Sequence, residues 1–343
     1  ANWSLLNMHS HHSHSGDYIA HGVDPLEDVT NRAIEMKFHT YCMTEHMPRI
    51  NPKYLYPEEH LDRADDTAAV EKLHSDFAKF LDHAQKIKSR ENSAGTTFLI
   101  GVEIEGCDQE HIEYARKLLE EKRGIVQFSV GSIHHVDGIP IDFDQDAWNR
   151  ALATSQNNLK KLLLSYFDLQ YCMLLRLQPL VVGHFDLYKL YLPKDLKVDL
   201  ETGYCVENGT SISNLSLIKQ WKQVQDSVIR NLKYIESYGG AIEINTSALR
   251  KKLPEPYPGK DIGLLAKEYA GGRFVLSDDA HAVSQVGVCY DEALKYIVED
   301  LKLDKMYYIT EGPIDRAVKL ESIPIEQFKS HAFWSTNFSK KAL

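Results

Sequence analysis

Cysteine is sparse in this chain: Cys42, Cys107, Cys172, Cys205 and Cys289 are scattered through 343 residues with no CxxC pair. An odd, dispersed set of thiols argues against a disulfide framework and fits a reducing, cytoplasmic setting. No apolar run reaches the roughly 18 to 20 residues that a membrane span needs. The opening ANWSLLNM has no basic region followed by a hydrophobic stretch, so neither secretion nor membrane insertion is expected. Lys/Arg-rich blocks are missing too, and 39 basic against 49 acidic residues leave a net charge of −10. That balance argues against a nucleic-acid backbone as the main partner, because such proteins carry a basic stripe. Neither a GxSxG turn nor a cysteine-based phosphatase loop occurs, so no nucleophilic serine or cysteine is implied. Repeats, low-complexity tracts and flexible linkers are also absent. The expectation is therefore one domain over residues 1–343, with the Asp-, Gly-, Thr-, Asn- and Ser-rich segment 197–213 as a surface insertion loop.

What the chain does have is alternation. A helix is predicted from Asp24 to about Lys37, with Asp as cap and Pro in the first turn. A short β-rich run, HTYCMTEHMP, follows over His39–Pro48. The spacing of Leu73, Phe77, Phe80, Leu81 and Ala84 predicts a long helix over Pro57–Ser93. Strands are then predicted at Thr96–Gly106, Ile125–His135, PLVVGHFD, GGAIEINTSALRK and RFVLSDDAH, with helices at Asp108–Glu121, Asn157–Leu177, up to Tyr238, Gly263–Tyr269 and Tyr290–Leu301. About six or seven apolar strands each end in His, Asp, Glu or Asn. Continuous apolar strands with polar groups at their C-terminal ends are the pattern of a parallel β/α barrel.

Imidazoles and carboxylates gather at those strand ends. The stretch HSHHSHSGDYIAHG contains His12-Ser13-His14 and His21; further along come Glu45-His46, Glu103 with Glu105, His134 with His135, His184 with Asp186, and Asp279-Ala280-His281. In an HxH on a strand the two rings share a side, because side chains repeat with period two, and both can reach one ion. One such pair carries little weight alone. Six separate strand ends that each bring a ligand type point to a metal centre. His74, His83 and His111 fall in helices and read as packed or solvated residues.

The motifs HSHSGDYIAHG, TEHMPRI, GVEIEG, VGSIHHVDGIPIDFD, PLVVGHFDLYKL, EINTSALRKKLPEPYP and FVLSDDAH together resemble the PHP (polymerase and histidinol phosphatase) superfamily, in its histidinol-phosphate phosphatase branch. The likeness covers nearly the whole chain. It implies a distorted (β/α)7 TIM-like barrel and three divalent ions. One ion would take His12, His14, Glu103 and Asp279; a second would share Glu103 and add His134 and His184; a third would take His21, His46 and His281. His9-Ser10-His11 offers a competing HxH, and His12 and His14 are preferred because that branch places a His-Gly soon after its HxH, as His21-Gly22 does here. Mixed nitrogen and oxygen donors suit Zn, Fe or Mn more than Ca or Mg.

The implied reaction is hydrolysis of L-histidinol phosphate, a step of histidine biosynthesis, by metal-activated hydroxide, with Glu103, His134 and Asp279 at the chemical centre. Cations would lower the pKa of a bound water and offset charge on the phosphoryl group. Arg250 and Lys251, with Lys252 beside them, are candidates for contact with the phosphate, or else form a solvated basic turn. A substrate bearing an ammonium calls for a carboxylate, and Glu105, Asp142 and Asp186 are the nearest. His135 or a metal-bound water would protonate the leaving group. Two rivals remain: a PHP-type phosphodiesterase or nuclease, which predicts a basic groove, and a non-enzymatic His-rich metal-binding protein, which predicts ligands confined to the opening stretch.

Overall fold

The computed structural model describes residues 16–20, 22–61, 66–313 and 318–338. Its centre is a six-stranded, wholly parallel sheet formed by β1 (Thr40–His46), β2 (Thr97–Glu105), β3 (Phe128–Ser132), β4 (Val181–Val182), β5 (Ala241–Asn245) and β6 (Phe274–Ser277), hydrogen-bonded in that order. The main helices are α1 (Leu26–Glu35), α2 (Thr67–Ser89), α3 (Gln109–Glu121), α4 (Gln145–Thr154), α5 (Leu159–Leu177), α6 (Lys222–Ser237), α7 (Lys260–Tyr269) and α8 (Tyr290–Lys295), with shorter helical turns between and after them. An antiparallel hairpin, β7 (Lys305–Glu311) with β8 (Val318–Pro324), follows them.

Period-two alternation sorts each strand into two faces, and the two faces join different cores. Tyr41, Met43, Phe98, Ile100, Val102, Val182, Ile242, Ile244 and Leu276 pack outward against the helices in one large cluster. The alternate positions Cys42, Leu99, Phe128, Val130, Val181, Ala241 and Val275 form a separate cluster with Ile309 of β7. Residues of both edge strands, β1 and β6, meet in that inner cluster, so the sheet is curled and its hollow is plugged at one end by Ile309. Above the plug, Gly101 and Gly183 leave room for neighbours: a Cβ at Gly101 would stand 2.8 Å from Thr44 and 2.9 Å from Phe128. Continuing upward, the inward positions become His46, Glu103, His134 and Asp279.

Several boundaries differ from the sequence reading. Asp24 does not cap α1; its Oδ2 accepts from Val283 N at 2.7 Å, while Asp17 Oδ2 accepts from Leu26 N at 2.8 Å. The long helix starts at Thr67, and Pro57–Glu59 is a lone 3-10 turn in which Glu59 reaches back to Tyr56 N at 2.7 Å. Helix α4 and the β7–β8 hairpin are additional to the expectation. Segment 197–213 folds back on itself, pairing Lys197–Val198 with Thr210–Ser211 and burying Val198.

Candidate metal centre and phosphoryl site

Each functional side chain sits where a parallel strand runs out, on the carboxyl side of the sheet, as in barrel enzymes generally. His46 ends β1 and Glu103 lies in β2, in register with each other. His134 follows β3, His184 follows β4, and Asp279 and His281 follow β6. All six line one cavity of about 240 Å3, together with Asp142 and Lys251.

The donors converge on Glu103. Its Oε1 lies 3.0 Å from His134 Nε2 and 3.2 Å from His184 Nε2, and its Oε2 lies 3.2 Å from His46 Nδ1. Ligand atoms of His46, Glu103 and His134 all fall within 4.8 Å of one another. Glu103, His134 and His184 are almost wholly buried. Isolated carboxylates do not sit in such a place without a cation or close donors, because desolvation penalises their charge. Imidazole nitrogens and carboxylate oxygens facing one point are a donor set that a divalent transition ion fits.

Glu105, two residues beyond Glu103 on the same inward face, does not line the cavity. Its Oε1 is 2.6 Å from His46 Nδ1, its Oε2 is 3.2 Å from His134 Nδ1, and Arg49 Nη1 is 3.7 Å away. Burial would raise its pKa, but His134 and His46 outweigh burial and hold the carboxyl well below its usual range. The same contacts act on His134: burial disfavours the imidazolium, yet Glu105 and Glu103 push it well above its usual value. Positive charge is what these two acids demand.

Asp279 adopts a left-handed backbone at φ +50°, uncommon outside glycine. Several bonds hold it there. Asn245 Nδ2 donates to Asp279 Oδ2 at 3.4 Å and to Glu243 Oε1 at 2.5 Å, and Glu243 Oε1 also accepts from His184 N at 3.1 Å. Arg250 Nη1 donates to the carbonyls of Asp278 and Asp279 at 3.3 and 3.4 Å, so its guanidinium braces this turn.

The remaining nominated residues divide. Lys251 and Asp142 line the cavity, whereas Asp186 is sealed off, accepting from Gly259 N at 3.0 Å with Lys189 Nζ at 2.9 Å. His135 is buried against Tyr54, ring centroids 5.1 Å apart, and burial pushes its imidazole down to about 3, so it is neutral at physiological pH. A neutral imidazole away from the cavity lining is poorly placed to protonate a leaving group. His111 and His74 are packed residues: His111 Nε2 accepts from Ile50 N at 3.1 Å, and His74 Nε2 lies 3.2 Å from Arg49 O. His12, His14 and His21, like His9 and His11, lie outside the described residues. Sequence reasoning passed over Tyr56, Phe143 and Ser247, which also line the cavity. Phe143 and Ser247 lie within the motifs VGSIHHVDGIPIDFD and EINTSALRKKLPEPYP already singled out, but neither is a ligand or acid type that drew attention.

A model of the PHP domain matches residues 10–247. The chain belongs to the PHP family. Within that family it is 52% identical, over 96% of its length and 99% of the relative's, to histidinol-phosphatase of Saccharomyces cerevisiae. It is 35% identical, over 96% of its length and 97% of the relative's, to a probable histidinol-phosphatase of Schizosaccharomyces pombe. A solved structure from Listeria monocytogenes, provisionally called a histidinol phosphatase, superposes with a TM-score of 0.61 at 23% identity, covering 83% of this chain and 99% of that one. That likeness carries the PHP barrel fold to this chain.

Proposed function

We propose that this chain is a metal-dependent phosphomonoesterase that hydrolyses L-histidinol phosphate to L-histidinol and phosphate, the activity its fungal relatives are named for. The observation that carries the reading is the buried convergence of His46, His134 and His184 on Glu103 at the barrel mouth. Divalent ions held by such a set supply Lewis-acid charge for a phosphoryl group and a water acidic enough to ionise near neutral pH.

The protein's own residues do the positioning. Glu103 is the carboxylate shared by neighbouring ligand groups. Glu105 occupies Nδ1 of His134, which fixes the ring and leaves Nε2 directed at the site, the arrangement by which an outer carboxylate raises the basicity of a ligating imidazole. Asn245 and Glu243 orient Asp279 and the backbone of His184 together. Three ions, with His12, His14 and His21 completing two of the three ligand sets, are the full arrangement we propose. Zn, Fe and Mn are the candidates by donor chemistry. Lys251 stands at the cavity to meet a phosphate oxygen. A small soluble phosphomonoester, and neither nucleic acid nor membrane, is the partner this implies; no helix among the described residues is long and apolar enough to cross a membrane.

The test is phosphate release from L-histidinol phosphate, beside a phosphodiester, by protein stripped with chelator and resupplied with Zn, Mn or Fe. Turnover of the monoester that vanishes on stripping and returns with metal is expected. Preference for the diester, or indifference to stripping, would refute the reading.

A further inference from the structure

Beside the barrel mouth lies a second, open groove of about 570 Å3, walled by segments 189–194, 212–217 and 252–255. That volume is of the size that small organic molecules occupy. One wall includes the end of segment 197–213, which the proposed reaction does not use.

The groove combines apolar surface with positive charge. Leu190, Leu192, Ile212, Leu215, Leu217 and Leu253 supply the apolar part. Leu190, Leu192 and Leu253 are only half-buried, and Leu215 is 39% exposed. Lys189, Lys194 and Lys252 line the same groove, against one carboxylate, Glu255. Glu255 is engaged, its Oε2 accepting from Lys260 N at 2.9 Å, and Lys189 Nζ stands 2.9 Å from Asp186 Oδ2. Lys194 and Lys252 are exposed and have no ion-pair partner among the described residues. In a chain of net charge −10, this is a local reversal of sign. Apolar surface left in water favours a ligand with an apolar body, and unpaired ammonium groups beside it favour an anionic head.

Backbone bonds hold the walls apart. Ile212 N donates to Leu196 O at 2.9 Å, and Ser213 Oγ lies 2.9 Å from Lys194 O and 2.8 Å from Asp195 Oδ1, which ties two walls together. The third is fixed by Leu253 N donating to Ala248 O at 2.9 Å, with Lys252 held at φ +71°. This third wall is shared with the catalytic cavity. Leu253 packs on the cluster of Leu187, Ala248 and Tyr257, and Leu187 lines the catalytic cavity. Lys251 lines that cavity too, while Lys252, the next residue, lines the groove.

We propose that this groove is a second ligand site, taking a small amphipathic anion with an apolar body and a carboxylate or phosphate head, and that its occupant weakens binding of the phosphoester in the neighbouring cavity. An anion held by Lys252 reduces the positive potential that Lys251 offers to a phosphate, because screening over a Debye length of about 8 Å is incomplete between adjacent residues. The binding is independent of the reaction proposed above; only the weakening rests on it.

The probe is octanesulfonate, titrated calorimetrically into metal-loaded protein below its micelle range. Octyltrimethylammonium, with the same chain and opposite charge, and methanesulfonate, with the head and no chain, are titrated beside it. Octanesulfonate is expected to bind at least about tenfold tighter than either. Lys194→Glu should weaken it about tenfold and Leu215→Gln about threefold, both with the wild-type melting temperature and with kcat/KM in the absence of probe within about twofold of wild type. Saturating inorganic phosphate, which fills the catalytic cavity, should leave the probe's affinity within about threefold. Saturating octanesulfonate should raise KM for L-histidinol phosphate about twofold or more in wild type, with kcat kept, and less in Lys194→Glu. Probe binding that ignores both substitutions, or that phosphate abolishes, would overturn the site. Co-sedimentation with phosphatidylserine vesicles that Lys194→Glu abolishes would make the partner a membrane surface and overturn the small-molecule ligand. Binding as expected with KM unmoved would overturn the weakening alone. Failure of the phosphatase reading shows differently, as no turnover in any metal with probe binding intact, and the weakening then falls with it.

Discussion

The two ends of the barrel interior are made from the same strands at the same inward-facing positions, yet they have opposite character. At the amino ends of the strands, Cys42, Leu99, Phe128, Val181, Ala241 and Val275 close the hollow with Ile309 over them. Four or so residues further along, the inward positions are His46, Glu103, His134 and Asp279. One end excludes water and holds the fold, while the other collects charge and ligand atoms. Buried charge of that kind does not favour folding, so the apolar end and the helical layer must carry the stability that the mouth forgoes.

The largest effect expected from this contrast is at the mouth. Glu103→Gln removes the charge on which three imidazoles converge, and activity should fall about a thousandfold or more, equivalent to roughly 4 kcal/mol of transition-state stabilisation. Melting should be changed little by comparison. Retention of a tenth of the wild-type rate would show that Glu103 is not central. Ile309→Ala tests the other end: a loss of about 2–5 kcal/mol in unfolding free energy is expected from the cavity it leaves, with kcat at low temperature within about twofold of wild type. Activity lost without loss of stability would mean that the ends are not separable.

Gly183 lies between them, and a Cβ there would stand 2.5 Å from Ser132 Oγ and 2.8 Å from Val130 Cγ1. Gly183→Ala should cost about 1–3 kcal/mol of stability through overpacking and also lower kcat, because His184 is the next residue. An effect on stability alone would place the boundary above Gly183. The smallest effect lies outside the barrel. Asp108 caps α3 by accepting from His111 N at 2.9 Å and also accepts from the Tyr54 hydroxyl at 2.8 Å. Asp108→Ala should cost about 1 kcal/mol near neutral pH. Burial raises the Asp108 carboxyl, but the bonds from His111 and Tyr54 outweigh it and hold the carboxyl below its ordinary 3.8. Its contribution is therefore present above that value and fades as pH falls through the lower folded value, so the gap between wild type and variant in denaturant melts should narrow in acid. A gap independent of pH would assign the effect to packing.

Much of the site was legible because parallel strands end abruptly in the residues that do chemistry. Glu45-His46, Glu103 with Glu105, and Asp279-Ala280-His281 each stand out against an apolar run, and all of the strands carrying them exist. What did not show was which acid faces which way. Glu103 and Glu105 share a strand face, yet Glu103 meets the cavity and Glu105 lies behind His46 and His134, a distinction made by neighbours far away in sequence. Arg250 and Lys251 are adjacent, but Arg250 is drawn onto the carbonyls of Asp278 and Asp279 while Lys251 lines the cavity. Helix α4 escaped notice despite its Asp144 cap, and β8 did so because its inner face is only partly buried and its apolar signal is weak.

The sequence by itself determined the alternation of strands and helices, the placement of ligand residues at strand ends and the family, because period-two burial and local caps are written in short stretches of chain. Only the tertiary structure decided which ends meet. The curl of six strands brings His46, Glu103, His134, His184, Asp279 and His281, spread over 236 positions, around a single cavity, and it separates Asp142 from the other acids that composition alone could not rank. The physical reason is that facing direction along a strand is local, whereas the partner a buried charge finds depends on how the whole sheet curls.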